Sequence, residues 1–159
     1  MNVQIIALGK LKEDYLREAC AEYEKRLGAF CKLTITQLDP VKLPENAGEN
    51  QIEAALMAEG DKILSKIPAS CYTVAMCIEG KQLSSEELAQ TFKNAANEGI
   101  SDIAFVIGSS CGLSDKVKRI ADSRLSMSKM TFPHQLARVM LLEQIYRAFT
   151  IINNRKYHK

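Results

Sequence analysis

The sequence predicts an α/β domain in which a mostly parallel sheet is flanked by helices. Short apolar runs alternate along the chain with longer segments of helical periodicity, which is typical of strands joined by crossover helices. The run at 103–107 is almost entirely apolar, as expected for a strand that is covered on both faces. Since 159 residues suit one domain and contain no repeat or linker, we predict a single domain over 1–159.

The first half of the chain contains segments with clear end signals. Gly9 ends the first apolar run, Gly28 ends the first helical pattern, and Pro68 ends the second. In order, we predict a strand over 3–8, a helix over 11–27, a strand over 33–38, a surface loop over 41–50 and a helix over 51–67.

The second half continues the alternation. Ser84 and Glu87 have the spacing of a capping box, which marks a helix start, and Gly80 predicts a turn before it. Pro133 is tolerated in the first turn of a helix. The predicted elements are a strand over 72–78, a helix over 84–97, a strand over 103–107, a short helix over 115–120, a short strand over 124–127 and a long helix from 133 to 152.

Composition favours a cytoplasmic protein. The N-terminal apolar run lacks the cationic lead of a signal peptide, and charged residues such as Arg138 and Arg147 interrupt the apolar stretch over 136–152. Five cysteines without C-x-x-C spacing argue against a disulfide framework and a thiolate zinc site. No His and carboxylate pattern predicts another metal site, and no local motif supports Cys111 as a nucleophile.

Charge is distributed unevenly along the chain. Residues 1–107 contain 11 Lys/Arg and 16 Asp/Glu, a net −5, whereas residues 108–159 contain 10 Lys/Arg and 3 Asp/Glu, a net +7. A basic segment of this kind suits a polyanionic partner such as RNA. An unevenly charged, solvated surface explains the same numbers, and charge alone leaves both interpretations open.

The last helix is apolar around its whole circumference. When residues 136–152 are placed on a helical wheel, apolar side chains point to every side of the helix. In a chain of this size the sheet covers one side of such a helix, so we expect a second subunit to cover the other. The sequence therefore predicts a homodimer built on this helix.

Two loops are candidates for a ligand site. The segment 107–112, with Gly108 and Gly112, follows a buried strand, and ligands of open α/β sheets bind beyond the carboxyl ends of strands. Its spacing is neither a dinucleotide nor a nucleoside-triphosphate motif. The segment 125–135 combines hydroxyls with Met127, Met130 and Phe132, which suits an uncharged ring such as adenine. Either segment is also explained as a loop without a ligand.

The C-terminal tail, 153–159, is basic and aromatic. Arg155 and Lys156 are suited to phosphate contacts, Tyr157 to stacking on a base, and His158 to proton transfer near neutral pH. A frayed basic chain end is the alternative.

Taken together, these segments resemble the ribosomal large-subunit methyltransferase H (RlmH) family, a minimal branch of the SPOUT superfamily of knotted methyltransferases. The resemblance covers nearly the whole chain, and its most specific part is Thr131-Phe132-Pro133-His134-Gln135. The matching segments are 5–12, 22–27, 105–108, 125–135, 143–148 and 157–159.

The resemblance implies a SPOUT-type fold with a C-terminal trefoil knot, which is rare among proteins. It also implies a homodimer that uses S-adenosylmethionine to methylate N3 of a pseudouridine in 23S ribosomal RNA within the ribosome. The implied cofactor contacts are Met76, Gly108, Met127, Ser128, Lys129, Met130, Thr131 and Phe132. Ser109 and Cys111 stand where many family members have glycine and asparagine, and Met76 stands where leucine is usual.

For catalysis we predict His158 or Tyr157 near the N3 proton, with Arg138 or Arg155 holding phosphates or base oxygens. We further predict that the tail of one subunit completes the pocket of the other. Glu143 and Arg147 lie four residues apart and are interpreted as an ion pair rather than as catalytic groups. Two alternatives stay open, namely a non-catalytic ribosome-binding module and a transfer-RNA methyltransferase on the same scaffold.

Overall fold

The computed structural model describes residues 1–158, so the terminal Lys159 of the predicted basic tail lies outside the described residues. Strands and helices alternate throughout, as the sequence predicts. The elements are β1 Asn2–Leu8, α1 Asp14–Leu27, β2 Lys32–Leu38, α2 Glu49–Leu64, β3 Tyr72–Gln82, α3 Ser85–Asn97, β4 Asp102–Ile107, α4 Asp115–Ile120, β5 Ser123–Ser126 and α5 His134–Ile152.

The five strands form one sheet in the order β2-β1-β4-β3-β5. All neighbouring strands run parallel, with Val3 of β1 opposite Leu33 of β2 on one side and Ile103 of β4 on the other. The α/β fold class predicted from the alternation is therefore confirmed. Because the strands are parallel, all of their carboxyl ends meet at one edge, where the loops after β3, β4 and β5 come together.

Both faces of the sheet are covered, which explains the continuous apolar runs in β1 and β4. Alternate residues of β1 point to opposite faces: Val3 and Ile5 join the core beneath α1, α3 and α5, whereas Ile6 and Leu8 join the core beneath α2 and α4. Ile5 and Ile6 are both 0% exposed, so neither face of the central strand contacts solvent.

The long helix α5 packs against α1 and α3 on one face of the sheet. Leu141, Leu142 and Ile145 are fully buried there. The flanking helices thus cover within one chain much of the apolar circumference that the sequence assigned to a second subunit. Leu136, at the start of the helix, is 38% exposed, and the homodimer stays a prediction.

Three elements have boundaries that differ from the sequence prediction by more than one residue. Strand β3 runs through Gly80 to Gln82 instead of turning there, with a register shift against β5 between Met76 and Lys81. Helix α2 begins at Glu49, inside the predicted loop, because Gln51 accepts a hydrogen bond from the Gly48 N–H at 3.0 Å and closes the helix start. Helix α1 begins only at Asp14, so residues 11–13 belong to the preceding loop.

Within residues 1–158 no helix combines the length and apolarity needed to cross a membrane. The knotted path of the C-terminal segment stays a prediction from the family resemblance.

Candidate active site

A cavity of about 750 Å³ opens at the carboxyl edge of the sheet, where β3, β4 and β5 end. Its walls come from the end of β3, the loop that follows β4, the loop that follows β5 and the first turn of α5. A volume of this size is typical of cofactor and small-molecule sites. The lining residues are Met76, Cys77, Ile78, Glu79, Ile107, Gly108, Ser109, Ser110, Cys111, Gly112, Leu113, Lys118, Leu125, Ser126, Met127, Ser128, Met130, Thr131, Phe132, Pro133, His134 and Ala137.

The loop after β4 is a tight turn that requires glycine at its first position. A Cβ atom on Gly108 would lie 2.5 Å from the carbonyl carbon of Gly112, so the backbone at these two residues approaches more closely than any side chain allows. Gly112 has a φ of 89°, and its N–H donates to the Ser109 carbonyl at 2.9 Å. The loop therefore presents backbone rather than bulky side chains to the cavity.

Hydroxyl groups shape the loop after β5. The Ser126 hydroxyl donates to the Ser128 carbonyl at 3.0 Å, and the Ser128 hydroxyl accepts from the Met130 N–H at 3.0 Å. These local hydrogen bonds between side chains and backbone take the place of the backbone–backbone bonds that a helix or strand would have. The loop consequently brings Met127 and Phe132 to the cavity wall, where the sequence predicts soft apolar contacts for a ring.

One ion pair lies in the cavity wall. Lys118 of α4 and Glu79 at the end of β3 are 2.5 Å apart, and the hydrogen bond from Lys118 holds the pKa of Glu79 below its usual range. Cys77 lies in the same wall, and burial raises the pKa of its thiol, so it stays protonated at neutral pH. This pair could not be predicted from the sequence, because Glu79 and Lys118 lie 39 residues apart with no motif linking them.

His134 begins α5 and lines the cavity. Burial, together with the charges of Arg138 and Lys12, lowers the pKa of its imidazole. The ring is therefore neutral at pH 7. It packs beside the turn at Gly9, where an added Cβ would lie 3.2 Å from His134 Nε2.

Seven of the eight predicted cofactor residues line this cavity, and the eighth, Lys129, is exposed outside it. The structure thus brings these seven residues together from the ends of three strands, β3, β4 and β5. The cavity is largely apolar, with hydroxyls and backbone groups at a few points, and this combination fits an adenosyl group. Among residues 1–158 no cluster of three or more His, Cys, Asp or Glu side chains has the geometry to hold a metal ion.

The predicted catalytic tail residues do not line this cavity. The Tyr157 hydroxyl donates to Glu143 at 3.2 Å, and His158 Nε2 lies 2.7 Å from a Glu86 oxygen. Glu143 follows His134 by nine residues of α5, about 14 Å along the helix axis. Burial raises the pKa of Tyr157 to about 12, so its phenol is a proton donor rather than a base in this position.

Arg138, the third predicted catalytic residue, is 2% exposed and also lies outside the cavity lining. Its guanidinium donates to the Gly9 carbonyl at 2.8 Å and to the Gln37 side chain at 2.9 Å. Burial lowers the pKa of the guanidinium. Arg138 therefore joins the ends of β1 and β2 to α5, one contact away from His134.

The predicted pair on α5 is confirmed: Arg147 Nη2 lies 2.5 Å from Glu143 Oε1. The Arg147 guanidinium also lies over the Tyr157 ring, 4.8 Å from its centroid. Glu143 and Arg147 thus form the surface on which the tail rests.

A parallel α/β sheet with an adenosyl-sized cavity at its carboxyl edge defines a cofactor-binding α/β protein. Comparison with known proteins identifies the group more closely. The family described as "Predicted SPOUT methyltransferase" matches residues 1–158. The chain is 52% identical to Ribosomal RNA large subunit methyltransferase H of Clostridioides difficile, and 50% identical to the protein of the same name in Bacillus pumilus, in each case over 100% of both chains.

Solved structures show the same fold at low sequence identity. A probable methylase family protein from Haemophilus influenzae has a TM-score of 0.53 and 16% identity, covering 99% of this chain and 70% of the other. A putative methyltransferase from Legionella pneumophila, solved with the cofactor SAM bound, has a TM-score of 0.51 and 14% identity, covering 93% of this chain and 66% of the other. The chain belongs to the SPOUT methyltransferase family.

Proposed function

We propose that this protein transfers a methyl group from S-adenosylmethionine to 23S ribosomal RNA in the ribosome, at N3 of a pseudouridine. Family membership over the whole chain and relatives of about the same length support the activity. The observation that carries the proposal is the cavity at the carboxyl edge, which is lined by seven of the eight residues that the family resemblance assigns to the cofactor.

Different parts of the cavity wall contact different parts of the cofactor. We assign the apolar ring to the wall of Met76, Met127 and Phe132, and close backbone contacts to the turn at Gly108. When bound, S-adenosylmethionine supplies an electrophilic methyl group on a sulfonium sulfur. Since attack must be in line with the breaking bond, fixed walls contribute to the rate mainly by positioning.

Surface charge supports an RNA partner after internal pairing is taken into account. Lys116 pairs with Asp61 at 2.7 Å and Lys118 with Glu79, so part of the C-terminal positive charge is neutralised by the acidic first two-thirds of the chain. Lys129 beside the cavity and Arg155 and Lys156 in the tail are exposed. We assign phosphate contacts to these exposed cations.

We further propose that the protein acts in the cytoplasm as a homodimer in which the tail of one subunit reaches the cavity of the other. The position of Tyr157 and His158, away from the cavity of their own chain, supports this arrangement. In the partner's cavity, His158 would accept the N3 proton while Tyr157 donates to the base.

Arg138 contributes to the same site by position. Its guanidinium holds the Gly9 carbonyl, and Gly9 packs against the His134 ring in the cavity wall. We assign to Arg138 the role of fixing the start of α5 rather than contact with the RNA.

Incubation with S-adenosylmethionine labelled in its methyl group tests the function. We expect label in 23S RNA when whole ribosomes are supplied, and none when bulk transfer RNA is supplied. Digestion of the labelled RNA to nucleosides then identifies the product as N3-methylpseudouridine. Gly108→Ala, which perturbs the cavity, is the control for enzyme-dependent labelling.

The two alternatives predict other results. A transfer-RNA methyltransferase would label the transfer RNA instead of the ribosome. A ribosome-binding module without catalysis would show no heat of binding when S-adenosylmethionine is titrated into the protein in a calorimeter. Either result would replace the proposed function.

A further inference from the structure

A second cavity, of about 360 Å³, lies next to the cofactor cavity. Ser109, Ser110, Cys111 and His134 line both of them, so the loop after β4 forms a shared wall. The rest of the second cavity comes from Leu8 at the end of β1, from the loop between β2 and α2 and from α2 itself. Glu59 of α2 lines the second cavity and not the first.

Glu59 is an unusual residue because it is a carboxylate that is only 3% exposed. Among residues 1–158 it forms no ion pair with a lysine, arginine or histidine. Its two oxygens accept hydrogen bonds instead, one from the Val41 N–H at 2.9 Å and one from the Ser109 hydroxyl at 2.9 Å. Since burying a carboxylate without a cation is costly, these two donors are what makes the position tolerable.

Ser109 links Glu59 to the backbone of the loop after β4. Its hydroxyl oxygen accepts from the Cys111 N–H at 3.4 Å, and its carbonyl accepts from the Gly112 N–H at 2.9 Å. The same side chain therefore joins Glu59 to the backbone of the turn that begins at Gly108. Helix α2 packs closely against the end of this segment at Gly60. A Cβ on Gly60 would lie 3.2 Å from the Ser114 Cβ, so the absence of a side chain at Gly60 allows this approach.

We propose that Glu59 is a positioning residue for the cofactor site. Through the Ser109 hydroxyl, Glu59 holds the loop after β4 in the conformation that binds the cofactor. The proposal rests on the proposed function, in which this loop contacts S-adenosylmethionine. Glu59 itself does not touch the cofactor. The loop between β2 and α2 is tied to the same carboxylate through Val41, so one buried group fixes two loops at the carboxyl edge.

A coupling experiment tests this role. In Glu59→Gln the amide oxygen stays with the Val41 N–H, which can only donate, so an NH2 group faces Ser109. The bond that the Ser109 hydroxyl donates to the carboxylate is therefore lost, and at best a weaker bond that Ser109 accepts replaces it. Ser109→Ala removes the same link from the other side. We expect each variant to weaken S-adenosylmethionine binding by about tenfold in calorimetry. The double variant should bind no more weakly than the weaker single variant, because the two changes remove one interaction.

The matched control is Glu53→Gln, which makes the same chemical change at an exposed position of the same helix and should bind like the wild type. Wild-type affinity in Glu59→Gln, or independent and additive losses in the double variant, would overturn the proposal. Binding is measured well below the melting temperature of every variant, so that a loss of affinity reports on the loop and not on unfolding.

Hydrogen exchange of the ligand-free protein gives a readout that does not depend on the cofactor. The amides of Cys111 and Gly112 should exchange about tenfold faster in Ser109→Ala than in the wild type, because the loop loses its anchor. Unchanged exchange contradicts the proposal even if Glu59→Gln fails to fold. If the wild type binds no S-adenosylmethionine, the proposed function fails, and faster exchange would still show that this anchor orders the loop.

Discussion

The cofactor cavity and the C-terminal tail are built in opposite ways. The cavity is made of strand ends and tight turns, and at Gly108 its shape is set by a close approach of backbone to backbone. The tail is joined to the end of α5 by the Arg155 N–H, which donates to the Thr150 carbonyl, and beyond Arg155 side chains attach it, through Tyr157 on Glu143 and His158 on Glu86. One region is fixed by the sheet that carries it, whereas the other rests on the surface of α3 and α5.

This difference indicates that binding of the methyl donor and handling of the acceptor depend on separate regions. The cavity that we assign to the methyl donor lies within one chain, but Tyr157, which we assign to the acceptor, rests on Glu143, about 14 Å along α5 from His134 in the cavity wall. Damage to the cavity should therefore abolish donor binding, while damage to the tail should abolish transfer and spare donor binding.

The largest effect is expected for Gly108→Ala. The new Cβ would overlap the Gly112 backbone, so the turn must shift, and a displacement of about 1 Å can cost 100-fold in a positioned site. We expect S-adenosylmethionine binding to weaken by at least about 100-fold in calorimetry. Gly48→Ala is the control, since a Cβ there has no neighbour within 4 Å. Normal binding by Gly108→Ala would show that the loop is not part of the donor site.

Removal of residues 157–159 should have the converse effect. We expect unchanged affinity for S-adenosylmethionine and a loss of ribosome methylation of about 100-fold or more, as for loss of a general base. Both are measured on the same preparation, by calorimetry and by label incorporation. A parallel loss of donor binding would mean that the two regions are not separate.

Mixing tail-deleted chains with Gly108→Ala chains sharpens this result. If the tail works in the partner's cavity, a mixed dimer contains one intact cavity served by one intact tail, and activity returns. Each variant alone stays inactive and serves as the control. No recovery in a mixture shown to contain mixed dimers would contradict a shared site.

Arg138→Lys should affect stability more than chemistry. Lysine cannot donate to both Gly9 and Gln37 in the planar geometry of the guanidinium, and the buried acceptors lose partners. We expect the free energy of unfolding in urea to fall by about 2 kcal/mol. Methylation measured well below the melting temperature should fall far less than in the tail deletion, because Arg138 positions the start of α5 and does not contact the RNA. Full stability with lost activity would instead assign Arg138 a direct role at the RNA.

The sequence supports the sheet and much of the cavity because the signals are local. Apolar runs predict β1 and β4, and the Ser84–Glu87 capping box predicts the start of α3, which the structure confirms. Gly80 misleads because it serves a close approach of strands rather than a turn: a Cβ there would lie 2.6 Å from the carbonyl carbon of Leu125 in β5. Strand β3 therefore continues past it through a register shift. The loops after β4 and β5, which supply most of the cavity lining, are ligand candidates from the residues alone, whereas only the family resemblance placed Met76 with them.

Contacts between distant elements could not be predicted in this way. Glu59 meets Ser109 across 50 residues, and Lys118 meets Glu79 across the sheet edge. Charged residues on a helix usually face solvent, so Glu59 gives no sign in the sequence that it is buried. The apolar circumference of α5 shows the same limit, because the flanks of α1 and α3 that cover it become visible only after the chain is folded.

The smallest effect expected is a pH dependence that arises from His134. Burial lowers the pKa of this imidazole below its ordinary 6.5 in the folded protein. Between the folded pKa and 6.5 the unfolded chain binds more protons, so the free energy of unfolding rises with pH across that window and falls on acidification. We expect His134→Gln to reduce the difference between urea midpoints measured at about pH 5.5 and about pH 7.5. An unchanged difference would mean that His134 titrates alike in both states. The cavity would then be open to water at the start of α5, which would remove one of its distinctions from the exposed tail.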